Sequence, residues 1–535
     1  MHFSRIFKCK SAQGRASLHL LLTRLPVASP HCLASPDGTL IATLTTGSIS
    51  FRSIETLETT HSVRLPSKLG PANAFLWSPS SRRVLVSFAE SIHVYSALES
   101  GYRAVVRNPA SPNFKPTFVQ FGASDSEILM CSSFGLKFSV FDLTTSRAVE
   151  ISSPKFHQPT SAPRGFALRP GSGHLALLTR VAGKDIISIH HPTTRGVQRS
   201  WHQETVDAQG LTWTPDGRQL IMWESAAQGH KILFYTADGH LLNTWSGPSA
   251  FEPEEKHFDL GAGVKVCQVS PDGARIAVCD HTRNVCILDT RPATASMRLE
   301  HPAAIVPKDT VQIWQEQIGN AQLGSAHTFV KATQSVSAPG RVSGGGVETK
   351  PSRTLAVFDA SSTLLATALE DWPSTVWVWD ILSSELRAVL VFHGSISALT
   401  WHPTQRELLS VTCEGDGYDN LVFTWDPLSD GPKTIDFAAQ LPDAKLFGKP
   451  QVSWLNWAGD SAVLLVGDTK HRLMVSMSES DTYGAPWQDA QRSDLTMTTG
   501  KDETQLDPTA FAEFDEDLSN LDMSEVDDTF SFKKT

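Results

Sequence analysis

Long apolar runs are missing from this 535-residue sequence, and none approaches the length of a membrane-spanning helix. A basic surplus is missing too: 46 Lys and Arg stand against 56 Asp and Glu, for a net charge of -10. Phosphate backbones need a cationic face, so neither nucleic acid nor a membrane is an expected partner. The seven Cys show no paired spacing, which excludes a disulfide framework and makes a reduced compartment, cytosol or nucleus, the default. Metal spacings such as His-Glu-x-x-His or paired Cys-x-x-Cys are absent, as is a Gly-x-Ser-x-Gly elbow. Gly344-Gly345-Gly346 lacks the Lys-Ser/Thr that a phosphate loop needs and reads as linker. No cofactor and no catalytic centre are expected.

Charged residues make up only 19% of the chain, whereas Trp is plentiful at 14, with Gly and Pro spread throughout. That composition suits many short strands joined by turns. The clearest strand is 374–381, STVWVWDI, in which alternating apolar residues run into Trp379-Asp380. A hairpin followed by a strand ending in Trp-Asp, repeated every 40–45 residues or so, marks a propeller blade.

Nine copies follow one another. The cores span 32–54, 74–95, 118–143, 165–190, 210–235, 266–289, 355–381, 398–426 and 454–477. Ser-Pro-Asp-Gly or a relative of it joins the first two strands in several, placing Asp37, Asp216 and Asp272 in turns. Pro presets φ there and Gly accepts the positive φ that follows. Copies seven and eight close on Trp379-Asp380 and Trp425-Asp426. The expected fold is therefore all-β: a WD-repeat propeller of seven to nine four-stranded blades. It forms either one large ring or a ring with an accessory copy.

Four stretches fall outside this pattern. Residues 1–31 carry five basic side chains in the first 24 residues and no acid, resembling a transit peptide or a poor signal peptide. Arg24 interrupts the apolar run, which favours a first strand at 3–8 followed by an irregular insert. Between copies six and seven lie a further strand, 309–314, ending on Trp314, and a Ser/Gly/Pro-rich stretch, 334–352, read as a flexible loop. The propeller region is taken as 32–478, leaving 479–535 as a disordered tail. Its last 31 residues carry nine acids and two Lys, with Phe511, Phe514, Phe530 and Phe532 as a candidate partner motif beside a plain solubilising role.

Other candidates have a structural reading beside a functional one. His393-Gly394 precedes a strand, and Asp419 lies seven residues before Asp426. In Trp-Asp blades such positions form a hydrogen-bond network with the closing Trp, which is favoured over a ligand role for these two, while His19, His190-His191, His281, His301 and His402 sit in no metal spacing. Cys267, Cys279 and Cys286 occupy three strands of one copy and read as core rather than as a zinc site. Trp314, Trp379 and Trp425 read as core, whereas Trp201, Trp245, Trp372 and Trp487 lie outside the repeats and are candidate exposed anchors.

With the copies laid out, several stretches resemble one family. They are Phe3-Ser4-Arg5-Ile6-Phe7-Lys8, Gly210 through Gly217, Lys231-Ile232-Leu233-Phe234-Tyr235 with Asp238-Gly239-His240-Leu241-Leu242, His301-Pro302-Ala303-Ala304-Ile305, and Val376 through Ile381. The family is that of WD-repeat proteins of centrosomes and fungal spindle pole bodies that anchor microtubule minus ends. The resemblance implies a non-enzymatic scaffold in the cytoplasm and cytoskeleton, at the spindle pole body or microtubule organising centre. It also implies a coiled-coil anchoring protein and a kinesin-14 motor as partners, with the γ-tubulin complex a further candidate. An adaptor of another complex, a ubiquitin-ligase substrate receptor or an RNA-processing scaffold, is the alternative; a propeller hydrolase or peptidase is disfavoured. Residues 11–30 depart from the family pattern as roughly twenty extra residues, and a retained intron in the gene would account for them.

Overall fold

The computed structural model describes residues 5–478 apart from 9–18, 26–28, 100, 108–115, 117, 133–134, 156–164, 248–262, 282, 322–323, 341–353, 406, 438–449 and 458–460. The tail residues Phe511, Phe514, Phe530 and Phe532, and with them 479–535, lie outside the described residues, as does Trp487.

Nine antiparallel sheets stand radially as the blades of a propeller, at 32–64, 74–107, 118–152, 166–202, 208–245, 266–300, 355–391, 395–436 and 451–478. In each, strands a to d run outward from the axis. The two middle strands are sandwiched between neighbouring blades, so they read as unbroken apolar runs: Leu364–Leu369 and Ala462–Gly467 are buried throughout. Outer strands meet solvent and alternate or turn polar, as in Thr59–Arg64 and Val197–His202. A bulge recurs near the outer end of strand c at Phe51/Arg52, Ile189/His190, Phe234/Tyr235, Ile287/Leu288 and Val378/Trp379. A bulge adds local twist, which each blade needs.

Ring closure follows from the packing. An apolar cluster fills each space between consecutive blades, from blades 1 and 2 round to blades 8 and 9. A further cluster sets Leu25, Cys32 and Ile41 against Val463, Leu465 and Met474 and so joins blade 9 to blade 1. Each fully buried aliphatic side chain contributes about 1.5–3 kcal/mol. One ring therefore closes with all nine copies in it, and no copy is left as an accessory.

Two blades exceed four strands. Blade 9 is completed by His19–Arg24, which pairs with Arg472–Ser478 in the register Leu20↔Met477 and Leu22↔Val475; Arg5–Lys8 adds a fifth strand outside it. A strand thus lies within the stretch read as an irregular insert. The alternation of Leu20 and Leu22 with Leu21 and Thr23 suffices for an outer position, which needs only one apolar face.

Blade 7 has six strands. The hairpin of Gln312–Ala321 and Gly324–Lys331 joins its outer edge, with Gln312–Gln315 parallel to Ala388–Val391. Trp314 therefore sits in an inserted hairpin and not in a closing strand c. The flexible loop expected at 334–352 is ordered in its first part: Val336–Ser337 pairs with Ala304–Ile305, and Val336 and Ala338 are buried between blades 6 and 7. Alternating Ser-Val-Ser-Ala places two small apolar side chains on one face, a pattern hidden by the Ser/Gly/Pro composition around it.

The two faces of the ring differ. Turns a–b and c–d lie on one face and are uniformly short, the longest running from Trp401 to Leu409, from Trp425 to Lys433 and from Trp454 to Ala462. The other face carries the b–c and d–a connections. Its d–a segments stretch from Trp245 to Val266, from Asp436 to Gln451 and from Glu300 to Leu355.

Candidate interaction surface

Blade 7 contains a polar network behind its closing Trp379. His301, in the d–a connection, donates from Nδ1 to the Arg283 carbonyl at 2.8 Å, so its Nε2 must accept from the Thr367 hydroxyl at 2.8 Å. Thr367 Oγ1 in turn accepts from Trp379 Nε1 at 3.2 Å. Burial depresses the His301 pKa to about 4, so the imidazole is neutral near pH 7 and its Nε2 is left as the acceptor. Its ring meets Trp377 and Trp379 edge-on at centroid distances of 5.0 and 5.1 Å. Asp380 caps the following turn by accepting from Leu382 N at 2.9 Å and Ser383 N at 3.1 Å.

The same network is absent from blade 8, contrary to the expectation for His393 and Asp419. Both are exposed, and the buried Trp425 Nε1 has no hydrogen-bond partner. Glu316 of the inserted hairpin replaces it. Its Oε1 accepts from His327 Nδ1 at 2.6 Å; its Oε2 accepts from the Tyr418 hydroxyl and from the backbone N–H of His393, each at 2.7 Å. Burial, and then the Glu316 carboxylate, raise the Tyr418 pKa. Asp426 keeps its turn role, accepting from Leu428 N at 2.9 Å.

Glu316 fixes the hairpin to blade 8 together with Phe329, whose ring lies 5.4 and 5.6 Å from those of Phe392 and Phe423. Thr434 Oγ1 also donates to the His327 carbonyl at 2.8 Å. Blade pairing ends at Gln315, so the hairpin continues past the d–a face as a two-stranded arm. Gln317, Ile318 and Thr328 are exposed on it.

On the opposite face the turn Asp residues serve the backbone and their neighbours. Asp37, Asp216 and Asp272 each accept from a Ser or Thr hydroxyl two residues earlier and from a backbone N–H two residues later. The N–H groups of Asp37 and Asp272 donate across to Ser81 Oγ and Ser362 Oγ of the next blade, each at 3.0 Å. Hydrogen bonds to its oxygens hold the Asp216 carboxyl below the usual range despite partial burial. At the seam, a Cβ on Gly38, where φ is +70°, would run into the Asn456 carbonyl of blade 9.

Sequence reading missed a repeated latch. The indole N–H of Trp77, Trp213, Trp401 and Trp454 donates to a carbonyl on the innermost strand of the preceding blade: Leu33, Ala167, Val357 and Thr400, at 2.9–3.3 Å. The signal was Trp-Ser-Pro, Trp-Thr-Pro and Trp-His-Pro at the end of strand a. The proposed exposed anchors prove otherwise: Trp245 and Trp372 are buried, and Trp201 is partly buried against the cluster between blades 4 and 5. Cys279 and Cys286 face opposite sides of blade 6, in separate clusters, and burial pushes the Cys286 thiol up to about 11.

Buried charges are used internally. Lys155 lies 2.7 Å from Asp185 and 2.8 Å from Asp207, tying blades 3, 4 and 5 together, and Arg195 pairs with Glu127 between blades 3 and 4. Among the described residues no three His, Cys, Asp or Glu side chains converge to hold a metal ion, and no helix is long and apolar enough to cross a membrane.

No family model matches the chain. Among known proteins it is similar to the WD repeat-containing protein WRAP73 of Mus musculus, 24% identical over 496 residues that span 87% of this chain and 97% of that protein. An uncharacterized WD repeat-containing protein of Schizosaccharomyces pombe is 22% identical over 393 residues, 71% of this chain and 75% of that one. Of solved structures, a eukaryotic initiation factor aligns over 77% of this chain and 89% of its own at 10% identity and a TM-score of 0.48. The Dos1 propeller aligns over 77% and 93% at 12% identity and a TM-score of 0.44. At these identities the relatives support a WD-repeat family for this chain, in agreement with its Trp-Asp strands and closed ring of nine blades.

Proposed function

We propose that the protein is a non-enzymatic scaffold of the spindle pole body or centrosome. In this reading it holds a coiled-coil anchoring protein and a kinesin-14 motor to tether microtubule minus ends, with the γ-tubulin complex as a further contact. The observation that carries a scaffold role is the asymmetry of a stiff ring. Apolar clusters fix every blade to the next, while the long connections and the projecting hairpin collect on one face. In repeat proteins, insertions gathered on one face commonly mark the binding side. What supports the spindle-pole setting is the resemblance carried by 3–8, 210–217 and His301-Pro302-Ala303-Ala304-Ile305.

The test is to tag the full chain, follow it through mitosis and purify it with what it holds. The reading expects a focus at the spindle poles and recovery of a coiled-coil protein with a minus-end-directed motor. Recovery of a cullin adaptor or of RNA-processing factors, with no polar focus, would overturn it.

A further inference from the structure

A recess of about 640 Å³ opens on the d–a face between blades 8 and 9. That volume lies within the range of sites that bury a ligand. Its floor is formed by strands a and b of blade 8 and strand a of blade 9, with the hydroxyls of Ser397, Thr400 and Thr412 among its lining. Glu414, Asp416 and Asp419 line its rim and are exposed, and among the described residues no Lys, Arg or His lines it. A concave site walled by protein and lined by charge of one sign focuses its field on ligands of the opposite sign. Tyr418 forms part of the wall, and its hydroxyl is tied to Glu316 at the base of the hairpin arm. A buried hydrogen bond therefore links the wall of the recess to the base of the arm.

We propose that this recess receives an extended, lysine- or arginine-bearing segment of a partner protein. The segment enters from the d–a face, its cationic heads on the three rim carboxylates and its N–H groups on the hydroxyls below. Asp419, which the sequence assigned to an internal network, is thus free for recognition, and Tyr418 is a positioning residue for the wall. The proposal rests on the scaffold reading.

The test uses the full chain and a fluorescein-labelled octapeptide of alternating Arg and Ser, read by anisotropy. Together, Glu414→Gln, Asp416→Asn and Asp419→Asn are expected to weaken binding by about tenfold or more, the sum of three modest ion pairs, and to flatten its salt dependence. Ala398→Arg, at an exposed lining position, should weaken it similarly while leaving the carboxylates in place. Glu55→Gln, Glu58→Gln and Glu99→Gln together, on the opposite face, remove the same charge and should leave it unchanged. Equal loss in that control would overturn the proposal, because attraction would then be general. No loss with either recess variant would overturn it as well. So would calcium chloride alone binding to wild type but not to the triple carboxylate variant, with no displacement by peptide, since the rim would then be a cation site. The two readings fail separately. Peptide binding at the recess by a protein that captures no partners sinks the scaffold; unchanged peptide binding and partner capture in the recess variants sinks only the recess.

Discussion

Blades 7 and 8 end on the same two residues and are held in different ways. In blade 7, Trp379 hands its indole proton to Thr367, and Thr367 hands its own to His301. In blade 8, Trp425 keeps its indole N–H unpartnered, and a carboxylate from outside the blade, Glu316, gathers the neighbouring donors instead. A shared motif fixes the strand and its turn. It does not fix the polar network behind them, because that network is built from connections whose length and composition vary from blade to blade.

The comparison can be broken first at Glu316. Glu316→Ala leaves His327 Nδ1, the Tyr418 hydroxyl and the His393 N–H without this acceptor, and at about 1–3 kcal/mol for each orphaned buried donor the loss should reach roughly 3 kcal/mol or more. Chemical denaturation should show that loss, and proteolysis should cut the hairpin sooner than in wild type. Next comes Thr367→Val, which strands His301 Nε2 and Trp379 Nε1 in a buried site. A loss of about 2–4 kcal/mol is expected from two orphaned groups.

Acid acts on the blade 7 network through His301. Folded His301 titrates near pH 4, whereas an unfolded imidazole titrates near about 6.5. Between these values the unfolded chain binds the extra proton, so the contribution is full above about pH 6.5 and is lost as pH falls toward 4. By linkage the loss amounts to about 2 kcal/mol at pH 5. His93 and His402 are likewise depressed to about 4 by burial, so the share of His301 is read by comparing wild type with His301→Gln. The variant should lose less stability between pH 7 and pH 5.

The smallest effects sharpen the contrast. Trp425→Phe removes an N–H that bonds to nothing and should cost less than about 1.5 kcal/mol, well below the corresponding change at Trp379. His393→Ala, an exposed side chain whose backbone alone is used, should stay within about 0.5 kcal/mol.

The repeat itself was legible throughout. Buried middle strands such as Leu364–Leu369 and turns such as Ser270-Pro271-Asp272-Gly273 announce themselves through local pattern, and all nine copies are blades. What sequence could not show depends on contacts distant along the chain. His19–Arg24 becomes a strand by meeting Arg472–Ser478 at the far end of the chain. Glu316 lies far in sequence from Tyr418, and nothing near either residue announces the pair. Of the strand read at 309–314, residues 309–310 form a turn and only 312–314 are strand, whose parallel partner Ala388–Val391 alternation alone could not indicate. The recess has no motif at all, since its lining is assembled from strands a and b of blade 8, the connection between strands b and c, and the start of blade 9.

The central claim is that a rigid ring works by holding other proteins on its d–a face. Hydrogen exchange of the full chain, alone and with its purified partners, tests this most directly. The account predicts added protection in the 412–421 loop and along the hairpin at 316–328, with the short turns of the opposite face unchanged. Protection confined to the turns around Asp37, Asp216 and Asp272, with the recess and the arm exchanging as before, would contradict it.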